Sequence, residues 1–262
     1  MTEPLRFLDL PDGRRIAHRF IAGSGPAMVF LPGYMSDMAG SKAQAVFDWA
    51  RGKGRACLLL DYSGCGESSG DFADGTLSLW RDEVVALIDA HDLDEVVLIG
   101  SSMGGWLMLL AALALPGRVA GLVGIAPAPD FTEWGVAQMD KGLLADGQTI
   151  WEDNPYGPEP TPTHPGFWAD GQANLMLERA IPFDGPVRLL HGQRDPDVPW
   201  EISLRLAEAL RSAEVQVVLV KDGDHRLSRP EDIALLLRTL DALPGNALAS
   251  DALAAGRVPQ AS

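Results

Sequence analysis

Val96-Val97-Leu98-Ile99-Gly100-Ser101-Ser102-Met103-Gly104-Gly105-Trp106 packs a strand, a sharp turn and the start of a helix into eleven residues. The first four are apolar and mostly β-branched, as in a short buried strand. Gly100 to Gly104 fit G-x-S-x-G, and the apolar run that follows is stopped by Pro116-Gly117, which marks a helix end. Strand, turn and helix around a central serine are the setting of a nucleophile elbow. The glycines let neighbouring backbone approach where a Cβ would intrude, and the serine sits in a strained turn. The turn lifts its hydroxyl off the sheet edge at a helix N-terminus, whose dipole favours developing negative charge. Ser102 is therefore the candidate nucleophile. Ser101, at the variable position, points elsewhere in this register, and a Gly/Ser-rich turn without chemistry is the plain alternative.

On both sides of the elbow, short apolar runs alternate with longer amphipathic ones. Strands are predicted at 14–21, 27–31, 56–60, 95–99, 119–125, 187–191 and 215–220. Helices are predicted at 43–50, 77–91, 103–115, 202–211 and 231–243; Leu77, Trp80, Val84, Leu87 and Ile88 share one helical face. Strands that are apolar nearly throughout argue for a mostly parallel sheet covered on both faces, an α/β architecture. The rhythm breaks at 126–182, a Pro-rich stretch holding Trp134, Trp151 and Trp168. It is too long for an ordinary connection. It reads as a cap inserted over the carboxyl edge of the sheet, where such folds bind ligands. The core is then 1–125 with 183–243, and 244–262, rich in Ala, Gly and Pro, is a C-terminal tail.

A serine hydroxyl needs a base within hydrogen-bond reach. Behind an elbow of this kind the chain order is serine, acid, histidine. Of the five histidines, His225 lies in the turn-rich Lys221-Asp222-Gly223-Asp224-His225, just past the strand at 215–220 and so at the same sheet edge as Ser102. Asp222 and Asp224 read as turn formers, although Asp224 would also place negative charge beside the imidazole. The acid belongs to the loop after the preceding strand, where Asp195 and Asp197 both stand; spacing does not separate them. His191 ends that strand and is read as shaping the turn. His18 and His91 read as packing or surface residues, and His164 as a weak candidate for substrate contact. Two backbone donors are expected to face the oxyanion: the N–H of Met103, directly after the nucleophile, and that of Tyr34 in Leu31-Pro32-Gly33-Tyr34-Met35, where Pro32 has no N–H to offer. The loop Asp61-Tyr62-Ser63-Gly64-Cys65-Gly66 lacks the lysine and spacing of a phosphate cradle and reads as support for the site floor.

The 262 residues carry a formal net charge of −15, which repels nucleic acid and anionic membranes. No run of 18 apolar residues suggests a membrane span. Cys57 and Cys65 make no disulfide framework, no Cys/His cluster has zinc spacing, and residues 1–7 show no basic-then-apolar leader. These features lead to an expected cytoplasmic location, with no metal and no organic cofactor.

Pro32-Gly33-Tyr34, the Asp61-Tyr62-Ser63-Gly64 loop, Gly100 to Met108, Leu189-Leu190-His191-Gly192 with Asp195 and Val198-Pro199-Trp200, and Asp224-His225-Arg226 together resemble the α/β-hydrolase superfamily of serine hydrolases. Within it, Tyr34, Gly105-Trp106 and Trp200 resemble the mitochondrial palmitoyl-protein thioesterase group, which also hydrolyses acyl glucuronides. The likeness runs over about residues 10–243 and is poor in the cap. It implies Ser102 as nucleophile, Asp195 as acid, His225 as base, and Tyr34 and Met103 as oxyanion donors. It further implies a small acyl ester or thioester as substrate, or an acylated protein, cleaved through an acyl-enzyme. Trp134, Trp151 and Trp168 in the cap are candidate acyl contacts, and equally candidates for the cap's own core. A peptidase or acyltransferase on the same scaffold would add an amine anchor, for which Glu133, Glu152 and Asp153 are available. A non-catalytic binding domain would have no need of all three catalytic residue types. A dehalogenase or epoxide hydrolase would carry aspartate at position 102. The oligomeric state is left open.

Overall fold

In the computed structural model, residues 3–154 and 157–243 are described. The chain runs β1 (Arg6–Asp9), β2 (Arg15–Ile21), β3 (Ser24–Leu31), α1 (Ser41–Lys53), β4 (Arg55–Leu60), α2 (Leu77–Ala90), β5 (Val96–Ser101), α3 (Met103–Ala114) and β6 (Val119–Ile125). The segment after β6 carries α4 (Phe131–Trp134), α5 (Gln138–Ala145), β7 (Ile150–Glu152), β8 (Thr161–Thr163) and α6 (Pro165–Ala173). Then follow β9 (Val187–Gly192), α7 (Glu201–Ala209), β10 (Val215–Val220) and α8 (Pro230–Asp241).

Eight strands form one sheet in the order β1-β2-β4-β3-β5-β6-β9-β10. All pairings from β4 to β10 are parallel, whereas β1–β2 and β2–β4 are antiparallel. The sheet is thus mainly parallel and flanked by helices, as the apolar strands require. The strand β1 has no counterpart in the sequence reading, because Arg6-Phe7-Leu8-Asp9 is short, largely exposed and charged at both ends. Those are the traits of a guarded edge strand. Central β5 shows why its neighbours are apolar throughout. Val96 and Leu98 enter one buried cluster with Trp80 and Trp106, while Val97 and Ile99 enter the other with Val46, Phe47 and Leu240. The period-two alternation of a strand feeds both faces at once.

Helix α3 is buried along nearly its whole length, so it is apolar all round. Helix α2 opens on Thr76, whose hydroxyl accepts the Leu79 N–H at 3.1 Å. Between β6 and β9, the stretch 126–182 leaves the sheet and returns to it. Its entry is fixed by Asp130, whose carboxylate accepts the N–H groups of Met176 and Leu177 at 2.8 Å each. The return joins the core: Met176, Leu177 and Ile181 are buried with the α3-side cluster, and Ile181 bridges to Leu210. The expected tail, 244–262, lies outside the described residues. No helix of the described residues is long and apolar enough to cross a membrane.

Candidate active site

Ser102 caps α3 with φ 55° and ψ −120°, a conformation that L-residues adopt only under constraint. The constraint is visible. Its N–H donates to the Ile125 carbonyl at 2.9 Å, and its carbonyl accepts the N–H groups of Gly105 and Ala128 at 2.8 and 3.0 Å. The flanking glycines are obligatory for steric reasons. A Cβ on Gly104 would lie 2.1 Å from the Leu31 carbonyl oxygen, and one on Gly100 would lie 2.2 Å from that of Gly104.

The hydroxyl of Ser102 is 3.1 Å from His225 Nε2, and His225 Nδ1 is 2.8 Å from Asp195 Oδ2. The imidazole is bonded to Ser102, the serine of the motif register, and, of the two carboxylates that spacing does not separate, to Asp195. The Asp195 side chain is wholly buried. Its Oδ1 accepts the N–H groups of Asp197 and Val198 at 2.9 and 2.8 Å. Its Oδ2 also lies 3.2 Å from Nε2 of buried His191. Burial alone would raise this carboxyl's pKa. The hydrogen bonds from His191, His225 and Val198 overcome that and hold it well below the usual carboxylate range. Asp224 and Asp222 serve the loop: Asp224 accepts the Leu227 N–H at 3.0 Å, and Asp222 pairs with Arg229.

The Met103 N–H opens α3, where a helix offers it no acceptor. The loop of Tyr34 reaches the same place: a Cβ on Gly33 would sit 3.3 Å from Ser102 Cβ. Both expected oxyanion donors therefore belong to backbone segments that flank the nucleophile. Beneath them, Asp61 accepts the N–H groups of Met38 and Glu67 at 2.7 and 2.9 Å, bracing the Tyr34 loop from the glycine-rich turn. The Tyr34 hydroxyl donates to the Pro162 carbonyl at 2.9 Å, tying this loop to the 126–182 segment; burial pushes the phenol far above its ordinary pKa.

Ser102 and His225 open into a cleft of about 660 Å³. Phe131 and Trp134 supply an apolar wall, while Ser36, Ser41, Lys42 and Ser228 supply a polar one. Of the three cap tryptophans expected at the substrate, the structure brings only Trp134 to the cleft. Trp151 is 62% exposed and faces away, because strand alternation in β7 gives the cleft side to Glu152. Trp168 turns its indole N–H to the Thr132 carbonyl at 3.2 Å and packs within the segment. His164 bonds Thr149 and does not line the cleft, and His18 meets His91 edge to face while His91 stacks on Phe20.

Lys42 and the buried contact of His191 with Asp195 were not read from sequence. Lys42 sits in the first turn of α1, where nothing local marks it. Its ammonium donates to the Arg226 carbonyl and the Ser228 hydroxyl, next to His225, and burial together with Arg226 lowers its pKa to about 8. Its partners lie 184 and 186 residues away in the chain. For His191 the only local signal is its spacing of four residues from Asp195. As to metals, Asp195, Asp197 and His225 bring ligand atoms within 4.8 Å of one another. Two of these groups already spend their facing atoms on the bond they share.

Residues 26–143 match the α/β-hydrolase fold family. Over 243 residues the chain is 37% identical to human mitochondrial palmitoyl-protein thioesterase ABHD10, covering 91% of this chain and 79% of that protein. It belongs to the α/β-hydrolase family. The mouse thioesterase of the same name is 38% identical, with 91% of this chain and 82% of the relative covered. Among solved structures, a hydrolase from Agrobacterium vitis S4 superposes with a TM-score of 0.85 at 38% identity, covering 92% of this chain and 99% of the other. Mouse α/β hydrolase domain-containing protein 10 gives 0.84 at 36%, covering 91% and 97%. The relatives overturn the cytoplasmic location expected for this hydrolase, since the thioesterases it matches are mitochondrial by name. Cys57 and Cys65 are buried free thiols, which suit any reducing compartment and do not single out the cytosol.

Proposed function

We propose that the chain hydrolyses acyl thioesters and esters through a Ser102–His225–Asp195 triad and an acyl-enzyme on Ser102. The observation that carries this reading is the unbroken relay of 3.1 and 2.8 Å from hydroxyl to imidazole to buried carboxylate. His225 takes the Ser102 proton as Oγ attacks the acyl carbonyl carbon, and Asp195 stabilises the resulting imidazolium. The N–H groups of Met103 and Tyr34 receive the negative oxygen of the tetrahedral intermediate. The intermediate collapses, the bond to the leaving thiol or alcohol breaks, and His225 returns its proton to that group. A water, deprotonated by the same imidazole, then frees the acid and regenerates Ser102. The names of the relatives, palmitoyl-protein thioesterases, support a thioester as the preferred bond. The apolar wall at Phe131 and Trp134 suits an acyl chain, and the polar wall at Ser41 and Lys42 suits a hydrophilic leaving group.

A panel of acyl thioesters, p-nitrophenyl esters and matched amides tests this. Thioester turnover that vanishes in Ser102→Ala is the expected result. Turnover surviving in that variant would remove Ser102 from the mechanism. Faster cleavage of the amides would favour the peptidase alternative, for which Glu152 and Asp153 line the cleft as amine anchors.

A further inference from the structure

His191 is the penultimate residue of β9 and has no exposed surface. Its Nε2 faces two acceptors, the Val198 carbonyl oxygen at 3.0 Å and Asp195 Oδ2 at 3.2 Å. A carbonyl oxygen cannot donate, and the Asp195 carboxylate is held ionised by its N–H donors, so the proton between them belongs to Nε2. In the neutral ring, Nδ1 is then a bare lone pair. The hydroxyl of Ser203, also 0% exposed, lies 2.7 Å from it and donates. Ser203 comes from α7 and Asp195 from the turn between β9 and α7, so one buried ring links strand, turn and helix.

We infer that His191, locked in the Nε2–H tautomer by Ser203, is a positioning residue that shares Asp195 with His225 and sets how strongly the carboxylate holds the His225 proton. The inference rests on the reaction proposed for Ser102. Two rings donate to the same Oδ2, while two backbone amides hold Oδ1. The carboxylate therefore cannot rotate, and its charge is divided among four donors. Each donor other than His225 weakens the attraction Asp195 exerts on a protonated His225. Removing the His191 donor makes Asp195 more basic, favours the imidazolium, and moves the acid limb of the kcat/KM profile to higher pH. Asp224 and Arg226 stand beside His225, Asp197 stands in the turn, Lys42 reaches in from α1, and Asp37, Glu152 and Asp153 line the same cleft. None of them is altered by changes at 191 or 203. A histidine that merely filled the core would affect stability without moving this limb.

The test is kcat/KM for one acyl thioester from pH 5 to 9 in wild type, His191→Leu, His191→Gln and Ser203→Ala. In His191→Leu the expected change is a fall of about tenfold, with the acid limb raised by about half a pH unit. Glutamine can place an amide N–H where Nε2 stands, so His191→Gln returns both toward wild type. Ser203→Ala, which keeps the ring but frees its tautomer, shifts the limb in the same direction by less. Should His191→Leu fail to fold, the limb of Ser203→Ala decides the matter. An acid limb unmoved in every folded variant would overturn the role of His191 while leaving the Ser102 chemistry intact. Wild type without turnover, or turnover undiminished in Ser102→Ala, would instead overturn the reaction on which it rests.

Discussion

Asp195 shows how much one side chain can owe to its donors. Burial opposes its charge, and two imidazoles with two backbone amides reverse the balance. Because its folded pKa is below the unfolded value of about 3.9, its ionised form stabilises the fold fully above about pH 4. That contribution is lost as pH falls toward the folded value, since the unfolded chain takes up the proton first. Asp195→Asn is therefore expected to be less stable than wild type at pH 7, and the difference in denaturant midpoint should narrow below about pH 4. Its kcat should fall by about 10³–10⁴-fold, as when the carboxylate orienting a catalytic imidazole is neutralised. Equal midpoints at pH 7 would contradict the account of the carboxylate's environment. At this scale the sequence was only partly legible. Ser102 and His225 follow from motif and position, but Asp195 and Asp197 are both turn-forming carboxylates two residues apart. Only three-dimensional packing turns one inward to the imidazoles and leaves the other exposed.

The elbow is the element that everything else serves. Its glycines are fixed by contacts with backbone, which cannot move aside as a flexible side chain can. Gly104→Ala would drive a methyl to 2.1 Å from the Leu31 carbonyl oxygen, in the very loop that brings Tyr34 to the site. The expected cost is about 3 kcal/mol or more, read as a lowered melting temperature or loss of folded protein. A variant melting with wild type would mean that β3 and α3 are not packed this closely. The parallel strands and their helices were legible because burial on both faces demands uninterrupted apolar runs. Strand β1 was not, since an exposed edge imposes no such demand. Within the inserted segment, β7 and β8 are three residues each, too short for alternation to show in sequence, so nothing local tells that Trp151, a candidate for acyl contact or cap core, is instead exposed away from the cleft.

For the whole molecule, the proposed reaction is placed in the cleft between the sheet edge and the 126–182 segment, where Tyr34 is bonded to the Pro162 carbonyl. An acyl chain lying along Phe131 and Trp134 gains about 0.8 kcal/mol per buried methylene, roughly fourfold in kcat/KM. A homologous thioester series should rise by about that factor per methylene until the cleft is filled. Trp134→Ala should flatten the rise while sparing the shortest substrate. A slope unchanged in that variant would place the acyl chain elsewhere. The net charge of −15 is spread over a surface that says little about this cleft, where Lys42 stands among serine hydroxyls. Composition therefore speaks to the surface as a whole rather than to the ligand of the cleft. It also misled on location, because two reduced thiols fit more than one compartment.

The most direct test of the account is to label the protein with a fluorophosphonate and map the adduct by peptide mass spectrometry. A single adduct on the Ser102 oxygen, absent from Ser102→Ala and suppressed in His225→Ala, is the predicted result. An adduct on Ser101 or any other residue, or labelling undiminished in Ser102→Ala, would contradict it.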